Sequence, residues 1–280
     1  LKSLRTASIC ILFLAGSLLI TRSFAQQSTN SDAASTEISL NDLLIRMQSN
    51  LADYLANVPS FFCDEHVDSD LQQRGAPRMK TVTESVFRLR RSTNPSGQQQ
   101  FTESREIKTV NKQPAKGEDI HGPAIFSGAF TNAVSIVSLE MLHCYDYSVL
   151  PSARVGRVSA LVVGFTLQES ALSDKSCPSS ERQTGRAYID PRDFHLLRVE
   201  TRIPNHEANG ILTLWTWEID YAPVSFDAKQ FWLPTTISTK AEANDNRAVW
   251  SFTANYRNYH KLTVTSHIIT DVGENPTPPQ

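Results

Sequence analysis

From residue 184 onward, apolar and polar residues alternate with period two, the signature of strands that bury one face and wet the other. Leu197, Val199, Thr201 and Ile203 face one way, and Arg198, Glu200 and Arg202 face the other. The preceding run, 185–190, sets Ala187 and Ile189 against Arg186, Tyr188 and Asp190. Asp190-Pro191-Arg192-Asp193 between them supplies the proline and the capping aspartate of a turn, so the pair reads as a hairpin. A longer strand follows over 211–221, with Thr213, Trp215, Trp217, Ile219 and Tyr221 on one face and Pro223 expected to end it. In the run 230–240, Phe231, Leu233, Thr235 and Ile237 share a face, and the internal Pro234 predicts an edge strand or a bulge. Strands over 248–256 and 262–268 complete the series.

The earlier half mixes periods. Leu40, Leu43, Leu44, Met47, Leu51, Tyr54, Leu55 and Val58 recur at spacings of three and four, which predicts an amphipathic helix. Ser39 is its N-cap, Asp42 suits its positive end and Pro59 stops it. Then come a strand over 61–67, a hairpin of strands 79–91 and 100–110 joined by Asn94-Pro95-Ser96-Gly97, and a polar loop over 111–123. The segment 125–142 carries Phe126, Phe130, Val134, Val137, Leu139 and Met141 and predicts a second helix. Strands over 145–149 and 155–167 and a polar loop over 168–184 lead into the second half. The expected fold is α+β: one large curved antiparallel sheet, an incomplete β-barrel, with one or two helices packed on or closing its concave face.

The N-terminus changes the picture of where this happens. Lys2 and Arg5 precede an apolar run from Ala7 to Ile20, and Ser23-Phe24-Ala25 offers small residues for cleavage, so residues 1–25 read as a secretory signal peptide. Cys10 lies inside the apolar run without the context of a lipid anchor. Residues 26–37 are expected to form a disordered lead, 38–271 a single β-rich domain and 272–280 a disordered, proline-containing tail. Removing residues 1–25 takes out three of the 27 basic residues and none of the 29 acidic ones, moving the net charge from −2 to −5. That balance excludes a basic nucleic-acid surface, and the mature chain has no segment that reads as transmembrane. The expected location is periplasmic or secreted. In such a compartment one disulfide is expected among Cys63, Cys144 and Cys177. The pair favoured is Cys144–Cys177, stapling two neighbouring strands across a polar loop and contributing about 4 kcal/mol in the chain-entropy model. Cys63 is then a buried thiol.

Candidate chemistry is sparse. In Cys63-Asp64-Glu65-His66 alternate side chains point to opposite faces of a strand, so the four cannot converge on one metal. The remaining histidines lack metal-ligand spacing, and no metal or cofactor is expected. No Gly-x-Ser-x-Gly and no phosphate-cradling glycine loop is present, and His143 beside Cys144 is better explained by the disulfide. No catalytic residue is assigned. The aromatic residues carry more weight, because a curved sheet under helices can enclose an apolar cavity.

These elements, with the hairpin Gly185-Arg186-Ala187-Tyr188-Ile189-Asp190-Pro191 and the strand Phe231-Trp232-Leu233-Pro234, resemble periplasmic lipoprotein carriers of the LolA/LolB-like half-barrel type. Patterns such as Phe62-Cys63-Asp64-Glu65-His66 and Asp220-Tyr221-Ala222-Pro223-Val224 also resemble secreted bacterial proteins of unassigned function. The resemblance spans about residues 38–270. It implies binding of a lipid or other apolar ligand, with Trp215, Trp217, Phe231 and Trp250 lining the pocket. Helix 40–58, through Leu44, Met47 and Leu51, and the 125–142 segment, through Phe130, would be the lid. The strong charge on strands 79–91 and 100–110 counts against a true carrier: if it pointed inward, an acyl cavity would be untenable. The alternatives are an envelope module that holds a partner protein and, behind it, a hydrolase with a non-standard site.

Overall fold

A computed structural model describes residues 38–97, 99–115, 128–131, 133–208 and 210–263. The expected signal peptide and lead, the tail and most of the strand expected over 262–268 lie outside them. Among the described residues no helix is long and apolar enough to cross a membrane.

One α-helix, α1 (Leu40–Asn57), forms where the three-and-four spacing places it. Ser39 Oγ accepts from the Asp42 amide at 3.1 Å, and Val58 N–H closes the last turn on the Tyr54 carbonyl at 2.8 Å. Leu43, Leu44, Met47, Leu51 and Tyr54 are its buried stripe. The strands are β1 (Phe61–Gln73), β2 (Met79–Thr93), β3 (Gln99–Val110), β4 (Gln113–Pro114), β5 (Tyr145–Val155), β6 (Val158–Leu167), β7 (Thr184–Ile189), β8 (Leu196–Ala208), β9 (Ile211–Phe226), β10 (Lys229–Ala243) and β11 (Ala248–Lys261). They form one antiparallel sheet in the order β4-β3-β2-β1-β11-β10-β9-β8-β7-β6-β5. Two meanders therefore meet where β1 pairs with β11, from Phe61↔Lys261 to Gln73↔Ala248. That pairing joins residues almost 200 positions apart.

Two local expectations change, and one holds. The segment expected as a second helix instead makes two short 3-10 turns, Ala133–Ser135 and Leu139–Met141, in its described part. Ser138 Oγ donates to the Ser135 carbonyl at 2.9 Å, and the β-branched Val134, Ile136 and Val137 disfavour a continuous helix. Pro223 does not end β9, which continues to Phe226. The last β8–β9 pair is Arg198↔Asp220, so β9 has only β10 beside it at Pro223, as at a sheet edge. Pro234 lies in a strand that is central in the sheet order, but β10 pairs with β11 only from Thr236 onward, so at Pro234 it has only β9 beside it. The register shift between Pro234 and Thr236 is the bulge the sequence allowed.

The sheet is curled. Phe130 N–H reaches Glu103 on β3 (3.4 Å), and the Ile136 carbonyl accepts from Tyr147 OH on β5 (2.6 Å). Six residues span at most about 22 Å. Along the sheet, nine inter-strand steps separate β3 from β5, roughly 43 Å at the usual spacing. The two flanks can be bridged so briefly only because the sheet bends round this segment. The face toward it, called here the helix face, holds the core. There Phe61 meets Phe130, Phe226 and Tyr259 at ring-centroid distances of 5.7, 5.5 and 5.5 Å, and Phe130 stacks on Phe87 at 4.5 Å. Pairs of this kind contribute about 0.5–1.5 kcal/mol each beyond the area they bury.

Candidate functional site

Hairpin register sets the helix face row by row, because directly opposed residues point the same way. Near the β1–β2, β8–β9 and β10–β11 turns, one row reads Ile203, Trp215, Ala241, Trp250, Leu71, Met79 across six consecutive strands. Every member is apolar. Trp215, Ala241, Trp250 and Leu71 are half-buried, and Met79 is 58% exposed. Trp215 Nε1 donates to Thr239 Oγ1 at 2.6 Å, and its ring lies 4.5 Å from that of His206. His206 is held in turn by Glu181 of the β6–β7 loop at 2.9 Å. The next row inward is Thr201, Trp217, Thr239, Phe252, in which Trp217 is buried. Three of the four aromatic residues singled out from the sequence thus come together. Phe231 does not join them: it is core, 6.1 Å from Phe226.

The lid candidates are all buried, with Leu44, Met47 and Phe130 in the main core cluster. The side-chain bonds of α1 run to the opposite end of the sheet, from Asn50 to the Asp193 carbonyl (2.9 Å) and from Lys229 to Asp53 (2.8 Å). Tyr54 OH donates to the Phe130 carbonyl at 2.6 Å. The 128–142 segment and the core half of α1 therefore bind each other.

Charge does point inward on β3. Arg105 Nε donates to Glu65 at 2.8 Å, with both side chains nearly buried, and the guanidinium lies 4.9 Å over the Phe87 ring. Tyr256 OH donates to the same Glu65 oxygen at 2.8 Å. Glu103 accepts from the Gly128 and Phe130 amides, and burial, partly offset by those bonds, holds its carboxyl above the usual range. By the criterion drawn from the sequence, no acyl chain fits between β2–β3 and the 128–130 segment. Cys63 is fully buried beside this network, and burial drives its thiol far from ionisation, against any nucleophilic role.

The expected disulfide forms, Cys144 to Cys177, with a Cα–Cα distance of 5.7 Å. Its setting differs from the expectation: Cys144 precedes β5 and Cys177 sits in the β6–β7 loop, so it ties a loop to a strand start rather than strand to strand. His143 Nε2 lies 3.3 Å from Cys144 Sγ, but both sulfurs are spent on the disulfide.

A hollow of about 770 Å³ on the other face of β5–β11 had no signal in the sequence. On each strand from β6 to β11, two residues of that face flank a single residue of the helix face in its lining, as with Thr184 and Arg186 around Gly185. Arg186, Arg202, Lys240, Glu200 and Glu218 line it with many Ser and Thr hydroxyls. These residues read in the sequence as an ordinary solvated face. Only the register and the bending of the sheet bring them round one space.

No protein-family model matches the chain, and no curated protein does. Among solved structures it is similar to a domain assigned to outer-membrane lipoprotein sorting from Vibrio parahaemolyticus, at 12% identity and TM-score 0.38, covering 81% of this chain and 95% of that one. A LolA superfamily protein from Nitrosomonas europaea matches at 9% identity and TM-score 0.34 over 79% and 94% of the two chains. A DUF1329 family protein from Desulfovibrio piger matches at 10% identity and TM-score 0.34 over 84% and 93%. These are likenesses of fold alone.

Proposed function

We propose that this is a non-catalytic binding protein of the periplasm or the extracellular space, and that its ligand is a lipid or another apolar molecule. The ligand lies along the Trp215–Trp250 row, at the end of the helix face away from the bonds of α1. The observation that carries this reading is the unbroken apolar row across six strands, half-exposed along most of its length. The adjacent row on the opposite face, Arg202, Thr216, Lys240, Ser251, Asp70 and Lys80, is polar throughout. An acyl chain laid across the strands would meet aromatic and aliphatic side chains at each step, and each buried methylene contributes about 0.8 kcal/mol. The Cys144–Cys177 disulfide supports an oxidising compartment.

The test is mass spectrometry of an organic extract from protein purified gently out of the periplasm, together with tryptophan quenching by a brominated phospholipid. A stoichiometric lipid, with quenching that falls in Trp215→Ala and Trp250→Ala, is the expected result. An empty extract, with neither uptake nor quenching after lipid challenge, overturns the reading.

A further inference from the structure

The hollow on the open face has no part in holding an apolar ligand, and its chemistry is specific. Arg186 is the cross-strand partner of Glu200, and Thr184 that of Arg202, so the two arginines are diagonal neighbours on β7 and β8. Residues so placed are roughly 7–8 Å apart, close enough for two guanidinium forks to share one anion. Thr216 sits directly between Arg202 and Lys240, which extends the cationic arc to a third strand. Arg202 makes no ion pair among the described residues, whereas Lys240 pairs with Glu242.

The acidic residues are arranged differently. Glu200 and Glu218 face each other directly across β8 and β9, a like-charge pairing that costs stability. Arg198 bridges the two, contacting Glu218 at 3.0 Å and Glu200 at 3.8 Å, and Tyr188 OH donates to Glu200 at 2.9 Å. Both carboxylates line the hollow, and carboxylates are strong acceptors for hydroxyl groups. The floor is kept low by Gly164, where a Cβ would press on Leu150 and Ser148 at 3.0 and 3.1 Å.

We propose that this hollow binds an anionic polyol, a ligand carrying a phosphate or carboxylate together with several hydroxyl groups. Its anion sits between Arg186 and Arg202, and its hydroxyls lie against Glu200, Glu218 and the Ser238 and Thr253 side chains that continue the same row. The volume is that of a small-ligand site. A soluble sugar phosphate and the polyol phosphate headgroup of a lipid share this chemistry, and the proposal is independent of the apolar row on the other face.

The test uses the mature chain in calorimetric titrations with glucose 6-phosphate, glucose and inorganic phosphate, and in co-sedimentation with phosphatidylglycerol or phosphatidylcholine vesicles. Saturable binding is expected for glucose 6-phosphate, for phosphatidylglycerol vesicles, or for both, and which of them binds identifies the source. Arg202→Ala should weaken it roughly ten- to hundred-fold, the loss of a charge-assisted hydrogen bond, and leave the unfolding midpoint unchanged because Arg202 is exposed. Arg202→Lys, which cannot form the fork, should restore little. Failure of both probes to bind overturns the proposal. So does binding that survives Arg202→Ala and Arg186→Ala, or inorganic phosphate binding as tightly as glucose 6-phosphate.

Discussion

Two adjacent rows of the same strands make opposite surfaces. Val163, Ala187, Val199, Ile219, Ile237, Ala254 and Val67 run across seven strands on the helix face. One residue along each strand, Gly164, Arg186, Glu200, Glu218, Ser238, Thr253 and Asp68 run across the other. The backbone pairing is identical, so hydrogen bonding cannot distinguish them. Side-chain period alone does, and a slip of one residue in any hairpin would exchange the two surfaces along that strand. The comparison shows where the sheet's register is enforced, and also where the rule is broken on purpose: Glu65, Glu103 and Arg105 are charged residues on the apolar face.

The sharpest way to break the contrast is at that exception. Arg105→Ala leaves Glu65 buried and without its guanidinium, and should destabilise by about 3–5 kcal/mol in urea unfolding. Replacing Arg105 and Glu65 together by apolar residues of similar volume should recover most of that loss. Next comes the direct comparison of neighbours. Ile219→Ala, in a fully buried position, should cost about 2–5 kcal/mol. Glu218→Ala, one residue away on the solvated face, should cost no more than about 1 kcal/mol. Equal losses would mean that the two faces are not distinct in energy.

The disulfide belongs to neither row, so its removal should act on both alike. Cys144→Ser with Cys177→Ser should lower stability by about 2–4 kcal/mol and raise protease cleavage in the β6–β7 loop. The smallest effect is on the open face. His66 lies between Glu84 (2.6 Å) and Asp68 (3.1 Å), and the hydrogen bond to Glu84, opposed by burial, raises its pKa above 6.5. The folded state therefore binds the proton more tightly than the unfolded one. The stabilisation is fully present below the unfolded value and is lost as pH rises through the folded one. Urea midpoints of wild type and His66→Gln should differ at about pH 6 and converge by about pH 9.

Much of this was legible in the sequence because it is local. The spacing of Leu43, Met47 and Leu51 gave the helix, and alternation gave the strands. Pro234 gave the bulge, and cysteine arithmetic gave one disulfide, with Cys144–Cys177 the pair favoured. The grouping of Trp215, Trp217 and Trp250 was visible as shared strand patterning, but Phe231 carried the same pattern into the core. What the sequence could not carry is long-range. Nothing near Phe61 announces Lys261 as its neighbour, and nothing in Glu103 or Arg105 tells which face of β3 is inward until the 128–130 amides arrive to be bonded. The hollow was hidden for the same reason. Arg202 and Lys240 lie on strands two places apart and meet only through Thr216, and the space between them is made by bending rather than by composition.

The inward charges on β3 have one more consequence. Among the described residues, β3 has no strand on its outer side before Lys108, whose carbonyl accepts from the Ala115 amide beside the two-residue β4. A passing extended chain could dock on this outer rim and start a stack. To do so in depth it would need a matching apolar underside, and at Glu103 and Arg105 it would meet buried charges already committed to partners. The other rim, β5, is broken by the register shift between Leu150 and Ala153 at Pro151. Natural sheets use both devices to deny strangers a template. The charges that bar an acyl chain from one end of the helix face thus also guard the sheet against recruitment into aggregates.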